Sequence, residues 1–248
     1  MNRWLESLIT FIYPAKCRRC EMPMGVGQVH YLCDDCWEKM EFLTMPWCQI
    51  CGTPFYSREQ SASQPDSVCA DCRAQPPLYG KRRAIAFYEP TVREAIHLLK
   101  YDKKPIFAKH LVHLIQSHLP ADLSAADYDF LLPIPLHAKR YRERGFNQAE
   151  QLARGIGHVW KTPVRTDILF RVKHTAPQSS LNSRQERMDN IADAFEIRSP
   201  DRIRGRRVLL IDDIFTTGTT VNEALKVLQA ANPSGVDVLT LARTKPSA

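Results

Sequence analysis

The chain has 248 residues, of which 44% are hydrophobic and 25% are charged, with 10 glycines and 17 prolines. This ordinary globular composition excludes collagen-like, low-complexity and disordered proteins. The charge is divided unevenly: residues 1–80 carry 7 Lys and Arg against 9 Asp and Glu, whereas residues 81–248 carry 27 against 18. The net charge of +7 therefore comes from the second part and suits an anionic partner, either a nucleic acid or a polyphosphate metabolite.

No stretch of the sequence reaches the roughly 18 consecutive apolar residues that a membrane-spanning helix needs. The best N-terminal candidate, residues 4–13, is interrupted by Glu6 and followed by Pro14. This segment also lacks a small-residue cleavage site, so we expect neither membrane insertion nor secretion, and we expect a cytoplasmic location.

The eight cysteines form four CxxC pairs, all within residues 17–72. Two thiolates three positions apart can bind one tetrahedral metal ion, because a tight turn points both sulfurs inward. The surrounding segment offers little apolar material for a core, so metal binding is the expected source of its folding energy. We therefore predict a double zinc-ribbon module over residues 1–80, in which two structural Zn²⁺ ions are held by Cys17, Cys20, Cys33, Cys36, Cys48, Cys51, Cys69 and Cys72.

Other uses of these cysteines fit less well. Disulfides need an oxidising compartment that nothing else in the sequence supports, and redox CxxC pairs usually occur once, beside a βαβ pattern. An iron–sulfur cluster is chemically possible, but the paired spacing is more typical of zinc ribbons. Joining neighbouring pairs is the simplest arrangement; the spacing also permits a cross-braced one, in which the first pair joins the third and the second joins the fourth. We expect an exposed loop at residues 57–64 and a hinge at residues 73–80.

Strand and helix patterns alternate beyond residue 80. This alternation predicts an α/β domain over residues 81–248 with a largely parallel sheet. Apolar runs predict strands, and apolar residues at three- and four-residue steps predict helices. In chain order the predicted elements are a strand at 85–88, two helices separated by a break at 100–104, a strand at 130–135, a helix at 146–159, strands at 168–172, 194–197 and 207–211, a helix at 221–231 and a strand at 236–241.

The most specific feature follows the predicted strand at residues 207–211. The strand delivers Asp212 and Asp213 to the carboxyl edge of the sheet, where open α/β folds bind ligands. Next come small residues around Gly218 at the start of a helix, where backbone N–H groups and hydroxyls favour a phosphate. The two carboxylates suit ribose hydroxyls or a magnesium ion. The segment has no Gly-Lys-Ser/Thr and the chain has no GxGxxG, which excludes a Walker A loop and a dinucleotide fingerprint.

The order Asp212-Asp213-x-x-Thr216-Thr217-Gly218-x-Thr220 after four apolar residues resembles the signature of type I phosphoribosyltransferases, which bind phosphoribosyl pyrophosphate (PRPP). The resemblance implies that the acidic pair holds the ribose hydroxyls, that the following loop holds the 5′-phosphate, and that Mg²⁺ accompanies PRPP. It also implies a type I phosphoribosyltransferase-like parallel sheet for the domain. The implied PRPP-binding residues are Asp212, Asp213, Thr216, Thr217, Gly218, Thr219 and Thr220.

Further segments resemble the ComF (GntX-like) family. They are the CxxC-rich N-terminus, Leu99-Lys100-Tyr101, Pro133-Ile134-Pro135-Leu136-His137 with Arg140 and Arg144-Gly145-Phe146-Asn147-Gln148, and Thr175-x-x-Gln178-x-x-Leu181 with Arg187-x-x-Asn190. That family is linked to DNA uptake in natural competence and to the use of external DNA as a nutrient. The resemblance implies PRPP as a ligand, and single-stranded DNA and a helicase-like competence protein as candidate partners.

On the phosphoribosyltransferase plan, residues 136–145 form a basic loop that meets the pyrophosphate. Several forked guanidinium groups match a diphosphate, and we predict that His137, Arg140 and Arg144 bind it. By itself the segment equally fits a solvated basic turn or a DNA-backbone patch. His137 is a lone histidine, which is more often a structural hydrogen-bonding group than a ligand.

Residues 171–190 are polar, lack glycine and form a longer connection than usual between two strands. The resemblance implies a flexible loop that closes over PRPP and excludes water. Lys173 and Arg187, with Arg184, would stabilise the departing pyrophosphate, and Thr175 and Gln178 would orient the ribose or the acceptor. The alternative is an ordered helix on which Arg184 and Arg187 only form ion pairs with Glu186 and Asp189.

Three functions remain open from the sequence. The first is transfer of the phosphoribosyl group from PRPP to an acceptor nitrogen with loss of magnesium pyrophosphate, which depends on positioning and electrostatics. The second is a non-catalytic PRPP or nucleotide sensor. The third is a DNA-uptake accessory protein that binds single strands together with a motor protein. The sequence does not identify the acceptor.

Overall fold

The computed structural model describes residues 15–24, 31–55, 67–101, 105–175 and 184–245. The apolar N-terminal segment at 4–13, the loop predicted at 57–64 and Gln178 lie outside these residues. Within the described ranges, no helix has the length and apolar character needed to cross a membrane.

A parallel sheet forms the centre of the molecule. In the described part of the chain its four strands lie in the order β1 (Arg82–Phe87), β6 (Gly235–Arg243), β5 (Arg207–Phe215) and β2 (Phe130–Pro133). Strands β5 and β6 are buried over residues 208–211 and 236–243, which is typical of parallel strands covered on both faces. Leu210 pairs with Val238 and Asp212 with Thr240 across these two strands.

Helices cover both faces of this sheet. The described helices are α1 (Asp34–Glu38), α2 (Ala70–Ala74), α3 (Pro90–Tyr101), α4 (Pro105–Ser117), α5 (Ala138–Arg144), α6 (Gln148–Trp160), α7 (Arg184–Ile191) and α8 (Thr219–Ala230), with short 3₁₀ turns at Ala125–Asp127 and Pro200–Arg202. Leu209 and Ile211 point into a core with α3, α4 and α6. Val208 and Leu210 point into the opposite core with α8. This alternation follows from the two-residue period of a strand.

The strands predicted at 168–172 and 194–197 do not join the parallel sheet. Strands β3 (Leu169–Arg171) and β4 (Phe195–Ile197) pair antiparallel in a separate sheet, in which Phe170 lies opposite Glu196. The predicted largely parallel sheet is confirmed by β1, β2, β5 and β6, and these two segments pair outside it. Each strand is three residues long, and its buried side chains, such as Leu169 and Phe195, pack in the same core as α8.

Two segments predicted as loops contain helices. Residues 138–144 form α5, because the sequence Ala-Lys-Arg-Tyr-Arg-Glu-Arg is rich in good helix formers. His137 Nδ1 accepts from the Lys139 backbone N–H at 3.2 Å, and Gly145 ends the helix with φ of +87°. Residues 184–191 of the predicted flexible loop form α7. The ordered-helix alternative therefore holds for the backbone of that part.

The cysteine-rich module docks on the free edge of β1. Phe42 pairs with Ala86 in an antiparallel bridge, and the backbone N–H of Leu43 donates to Ile85 O. Arg83, which is 1% exposed, reaches back across this junction, donates to Gln49 O at 2.8 Å and forms an ion pair with the half-buried Asp122. The junction is therefore built from backbone bonds and a buried guanidinium rather than from apolar contact alone.

The segment predicted as a hinge, residues 73–80, is packed at its end. The backbone N–H of Gly80 donates to Val236 O at 2.9 Å, Tyr79 is buried, and Gln229 Nε2 donates to Leu78 O at 2.7 Å. The division of the chain at residue 80 stays a prediction.

A close helix contact gives a test of this packing. Gly155 of α6 faces α4, and a Cβ at this position would lie 2.3 Å from Val112 Cγ2. In an exposed helix Gly→Ala stabilises by about 1 kcal/mol. Here we expect Gly155→Ala to lower the free energy of unfolding by about 1–3 kcal/mol through overpacking, measured by urea denaturation. The double variant with Val112→Ala should be more stable than Gly155→Ala alone. Additive losses would contradict the contact.

Candidate functional site

A cavity of about 440 Å³ opens at the carboxyl edge of β2 and β5. Ligands of open α/β sheets bind at this edge, because the strand ends and the helix N-termini converge there. Helix α3, strand β3, and the starts of α6 and α8 also contribute residues to its wall. Its charged lining residues are Arg93, Lys100, Arg140, Arg144, Arg171, Asp212 and Asp213.

The acidic pair lies at the floor of this cavity and is bound to a lysine. Lys100 Nζ of α3 lies 2.5 Å from Asp213 Oδ2, and the backbone N–H of Asp213 donates to Asp212 Oδ1 at 2.8 Å. Burial, reinforced by the neighbouring Asp213 charge, raises the pKa of Asp212 well above its ordinary value. Burial opposes ionisation of Asp213 as well, but Lys100 outweighs it and lowers the pKa of Asp213. Asp213 is therefore the carboxylate that stays ionised, paired with an ammonium group.

The loop after β5 leads directly into α8. Gly218 is the N-cap residue with φ of +76°, a conformation that glycine adopts without strain. A Cβ on Gly218 would lie 2.3 Å from the ring of Phe215, so the loop lies directly on this aromatic side chain. Thr216 and Thr220 line the cavity, and the hydroxyls of Thr217 and Thr219 are 2.6 Å apart. Thr220, in the first turn of this twelve-residue helix, therefore lies at the cavity, and the N–H groups of a helix N-terminus suit an anionic ligand.

Arginines form the opposite wall. Arg140 donates to Thr175 O at 2.9 Å, Arg171 donates to Thr175 Oγ1 at 2.5 Å, and Arg144 donates to Gln148 Oε1 at 2.7 Å. Burial, followed by the charge of Arg140, lowers the pKa of Arg171 to about 10. Among the described residues, the buried donors Gln148 Nε2 and Arg171 Nε have no hydrogen-bond partner. Buried donors without acceptors favour an anionic ligand at this wall.

The cysteines form two separate clusters, and neighbouring pairs share a cluster. In the first, Sγ atoms of Cys17 and Cys36 are 3.7 Å apart, and those of Cys20 and Cys33 are 3.6 Å apart. A tetrahedral site with Zn–S bonds of about 2.3 Å has sulfur–sulfur edges of about 3.8 Å, whereas a disulfide is about 2.05 Å long. The second cluster contains Cys48, Cys51, Cys69 and Cys72, and the four sulfurs of each cluster lie within 4.8 Å of one another.

Backbone donors support this geometry. The N–H groups of Cys33 and Cys69 donate to Cys17 Sγ and Cys48 Sγ, each at 3.3 Å, which stabilises thiolates. The residues therefore fit two closed, four-thiolate zinc sites, which supply folding energy and leave no open coordination position. Neighbouring pairs join, as in the simplest predicted arrangement, and the cross-braced alternative is wrong.

Comparison with known proteins agrees with both parts. Residues 8–73 match the double zinc ribbon domain, and residues 142–248 match the phosphoribosyl transferase domain. The DNA utilization protein YhgH of Salmonella typhimurium is 29% identical over 93% of this chain and 98% of that protein. Competence protein F of Haemophilus influenzae is 28% identical over 92% and 96%, and competence protein ComFC of Streptococcus pneumoniae is 29% identical over 86% and 87%. Over most of its length the chain is a homologue of ComF-type competence proteins.

This homologue of the ComF-type proteins brings several predicted site residues to one cavity. Asp212, Asp213, Thr216, Thr220, Arg140 and Arg144 line it, and Thr217, Gly218 and Thr219 form the adjoining turn. Thr175 is buried behind Arg140 and Arg171 and accepts from both. It therefore orients these guanidinium groups.

Other predicted site residues lie elsewhere. His137 caps α5, and its ring lies 5.2 Å from that of His174. Lys173 Nζ donates to Ala192 O at 2.7 Å, outside the residues that line the cavity. Arg187 belongs to α7, and its side chain, like all of Gln178, lies outside the described part of the structure.

The sequence assigned no role to Lys100, Arg171 or Gln148, although Lys100 and Gln148 lie in the ComF-like segments. Lys100 follows Arg93 and His97 at steps of four and three on α3, and all three line the cavity. This spacing was visible in the sequence, but an ordinary solvent-facing helix surface has the same pattern.

Zinc analysis of paired variants tests the assignment of the clusters. We expect two zinc ions per wild-type chain, measured by elemental analysis of the purified protein. Cys17→Ser with Cys36→Ser removes ligands from one cluster and should leave one zinc. Cys17→Ser with Cys48→Ser damages both clusters and should leave none. The reverse result, one zinc in the second variant and none in the first, would contradict the joining of neighbouring pairs.

Proposed function

We propose that this protein binds PRPP with Mg²⁺ and transfers its phosphoribosyl group to an acceptor nitrogen, releasing pyrophosphate. The observation that carries the proposal is the convergence on one cavity of a buried acidic pair, the glycine-capped N-terminus of α8 and the arginine wall. PRPP has a diol, a monophosphate and a diphosphate, and the cavity offers a matching group for each. The match to the phosphoribosyl transferase domain and the similarity to competence protein F support the same ligand.

Each part of PRPP has an assigned partner in this proposal. Asp212 and Asp213 accept hydrogen bonds from the ribose hydroxyls. The segment from Thr216 to Thr220 donates to the 5′-phosphate through backbone N–H groups and hydroxyls. Arg140, Arg144 and Arg171 hold the pyrophosphate, and the unpartnered Gln148 Nε2 adds a neutral donor beside them.

The acidic pair also fits a magnesium ion that enters with PRPP. Carboxylate oxygens are the ligands that Mg²⁺ prefers in proteins. Lys100 occupies Oδ2 of Asp213, so the remaining oxygen of Asp213 and the carboxyl group of Asp212 would hold the ion, whose charge would lower the raised pKa of Asp212. When bound, Mg²⁺ would supply positive charge next to the pyrophosphate.

The chain's own residues act mainly by position and charge. The acidic pair and the 5′-phosphate loop hold the ribose from two sides, so that C1 faces the acceptor. The C1–O bond to pyrophosphate breaks, pyrophosphate leaves with the bonding electrons, and the acceptor nitrogen forms the new bond to C1. The guanidinium groups of Arg140, Arg144 and Arg171 stabilise the charge that develops on pyrophosphate.

The residues predicted to be catalytic have different roles in the proposed reaction. Thr175 acts through Arg140 and Arg171, which it positions. Lys173 reaches the pyrophosphate only if its bond to Ala192 O breaks, as closure of a loop over the ligand would require. Arg187 and Gln178 keep their proposed roles at the leaving group and at the ribose or acceptor.

Isothermal titration calorimetry with Mg²⁺ and PRPP tests the ligand. Asp212→Asn with Asp213→Asn should weaken PRPP binding by about 100-fold or more, because two charge-assisted acceptors are lost. Zinc content should stay at the wild-type value. Asp201→Asn, at an exposed aspartate paired with Arg204 on the surface, is the matched control and should bind normally. Wild-type affinity in the double variant would overturn the proposed site.

A second measurement, pyrophosphate release with a panel of acceptors, then distinguishes an enzyme from a sensor.

DNA is a second proposed ligand, on the outer face of α5. Relatives carry the names DNA utilization protein and competence protein, and we propose that this chain also serves in DNA uptake or use, with a helicase-like protein as a candidate partner. The specific observation is that Lys139 and Arg142, which lie three residues apart on α5, are both exposed, and that Tyr141 of the same helix is 45% exposed. A helix that exposes both cations and an aromatic ring favours single-stranded nucleic acid.

Fluorescence anisotropy with a labelled single-stranded oligonucleotide tests this face. Lys139→Ser with Arg142→Ser should weaken DNA binding several-fold at moderate salt and leave PRPP binding unchanged, because Arg140 and Arg144 line the cavity instead. Arg198→Ser with Arg204→Ser removes the same charge elsewhere and is the control. Equal losses in both variants would mean that only net charge matters.

A further inference from the structure

Arg82 lies between the second cysteine cluster and the loop that precedes α8. Its side chain is 5% exposed, and its Nε and Nη2 atoms both donate to Cys51 O, at 2.9 and 2.6 Å. Its backbone N–H donates to Ile50 O at 2.7 Å. Gly52 completes this turn with φ of +62°, and a Cβ there would lie 2.6 Å from Arg82 O. The turn that carries two cysteine ligands is therefore fitted directly onto Arg82.

The same guanidinium stacks on Phe215. Arg82 Cζ lies 3.7 Å from the centre of the Phe215 ring, which is van der Waals contact with the ring face. This ring lies under Gly218, because a Cβ on Gly218 would be 2.3 Å from Phe215 Cζ. A continuous column of contacts therefore runs from the cysteine cluster to the N-terminus of α8. It consists of Cys51 O, Arg82, Phe215 and Gly218.

A second set of contacts runs beside this column at the end of β6. Arg243 Nη1 donates to Thr53 Oγ1 at 2.9 Å, and that hydroxyl is 3.0 Å from Cys51 Sγ. The backbone N–H of Thr244, the next residue, donates to Phe215 O at 3.1 Å. Two sets of contacts therefore connect the cysteine turn to the end of β5: one through Arg82, and one through Arg243 and Thr244.

We propose that Arg82 is a positioning residue that couples metal loading of the second cysteine cluster to the affinity of the loop after β5 for a sugar phosphate. The inference rests on the proposed function of that loop. A metal ion folds the turn around Cys48 and Cys51 and so presents Cys51 O to Arg82. Without that acceptor the buried guanidinium loses two charge-assisted bonds, and it regains hydration only by leaving the Phe215 ring.

The coupling is specific to the second cluster. The first cluster packs on another part of the molecule, where Trp37 lies 5.9 Å from Phe107 of α4 and Cys17 and Cys36 belong to the core on the opposite face of the sheet. Because coupling between two sites is reciprocal, a sugar phosphate bound at the loop must also strengthen metal binding at the second cluster. The first cluster therefore serves as an internal control.

Two probes separate the loop from the arginine wall. Ribose 5-phosphate needs the loop, whereas inorganic pyrophosphate needs Arg140, Arg144 and Arg171. In Arg82→Met, and in Cys69→Ser with Cys72→Ser, we expect the affinity for ribose 5-phosphate to fall by about 10-fold and the affinity for pyrophosphate to stay unchanged. Cys17→Ser with Cys20→Ser should leave both affinities unchanged. Phe215→Leu keeps the bonds to Cys51 O but removes the stacked ring, and should match Arg82→Met while retaining both zinc ions.

Zinc release to a colorimetric chelator gives a readout that a merely structural role would not change. Ribose 5-phosphate should slow the release of one zinc of two in the wild type, but not in Arg82→Met or in Phe215→Leu. Wild-type ribose 5-phosphate affinity in Phe215→Leu and in the second-cluster variant, or protection of both zinc ions alike, overturns the coupling. Failure of the wild type to bind either PRPP or ribose 5-phosphate overturns the proposed function and this inference with it.

Discussion

Burial of β5 on both faces and both edges is the constraint on which the rest of the molecule depends. Between Val208 and Ile211 its backbone pairs with β2 on one side and with β6 on the other, so the polar groups of this stretch are satisfied within the sheet. Val208 and Leu210 then enter one core, and Leu209 and Ile211 the other. A strand held in this way has a single register, and its carboxyl end delivers Asp212 and Asp213 to a defined point on the sheet edge.

The cavity at that edge is lined by charged side chains, and each of them would destabilise the folded protein if its neighbouring partner were absent. Two adjacent buried carboxylates repel each other, and Lys100 resolves this by pairing with Asp213. Arg140 and Arg171 lie close enough for one charge to lower the pKa of the other, and the carbonyl and hydroxyl of Thr175 hold them apart in fixed directions. The result is a preorganised site with acidic and basic walls, which is what a ligand carrying both a diol and phosphates requires.

The cysteine-rich module is joined to this site through arginines. Arg82 and Arg83, adjacent on β1, point to different partners: Arg82 to Cys51 O and Phe215, Arg83 to Gln49 O and Asp122. Buried guanidinium groups with several directed donors fix the orientation of the module more narrowly than apolar contacts do. The described part of the cysteine-rich module and the sheet that follows it are therefore packed together at this junction.

Much of the architecture followed from local signals. The four CxxC pairs predicted the zinc ribbons, and the apolar run ending in Asp212-Asp213 with its threonine-rich turn predicted the position of the site. These features depend on residues close together in the chain, and so does the helical or strand period of each element. Residue patterns also located most strands, although β5 continues to Phe215 because β6 pairs with it that far.

Only the tertiary structure decided which distant residues meet. Lys100 on α3 and Arg171 on β3 converge on the acidic pair and the arginine wall, and Arg82 lies between a cysteine turn and Phe215. The antiparallel pairing of β3 with β4 and the grouping of neighbouring cysteine pairs were settled in the same way. The physical reason is that a lysine or arginine on a polar helix face has the same local pattern whether it faces water or a buried carboxylate. The packing of separate elements determines the difference.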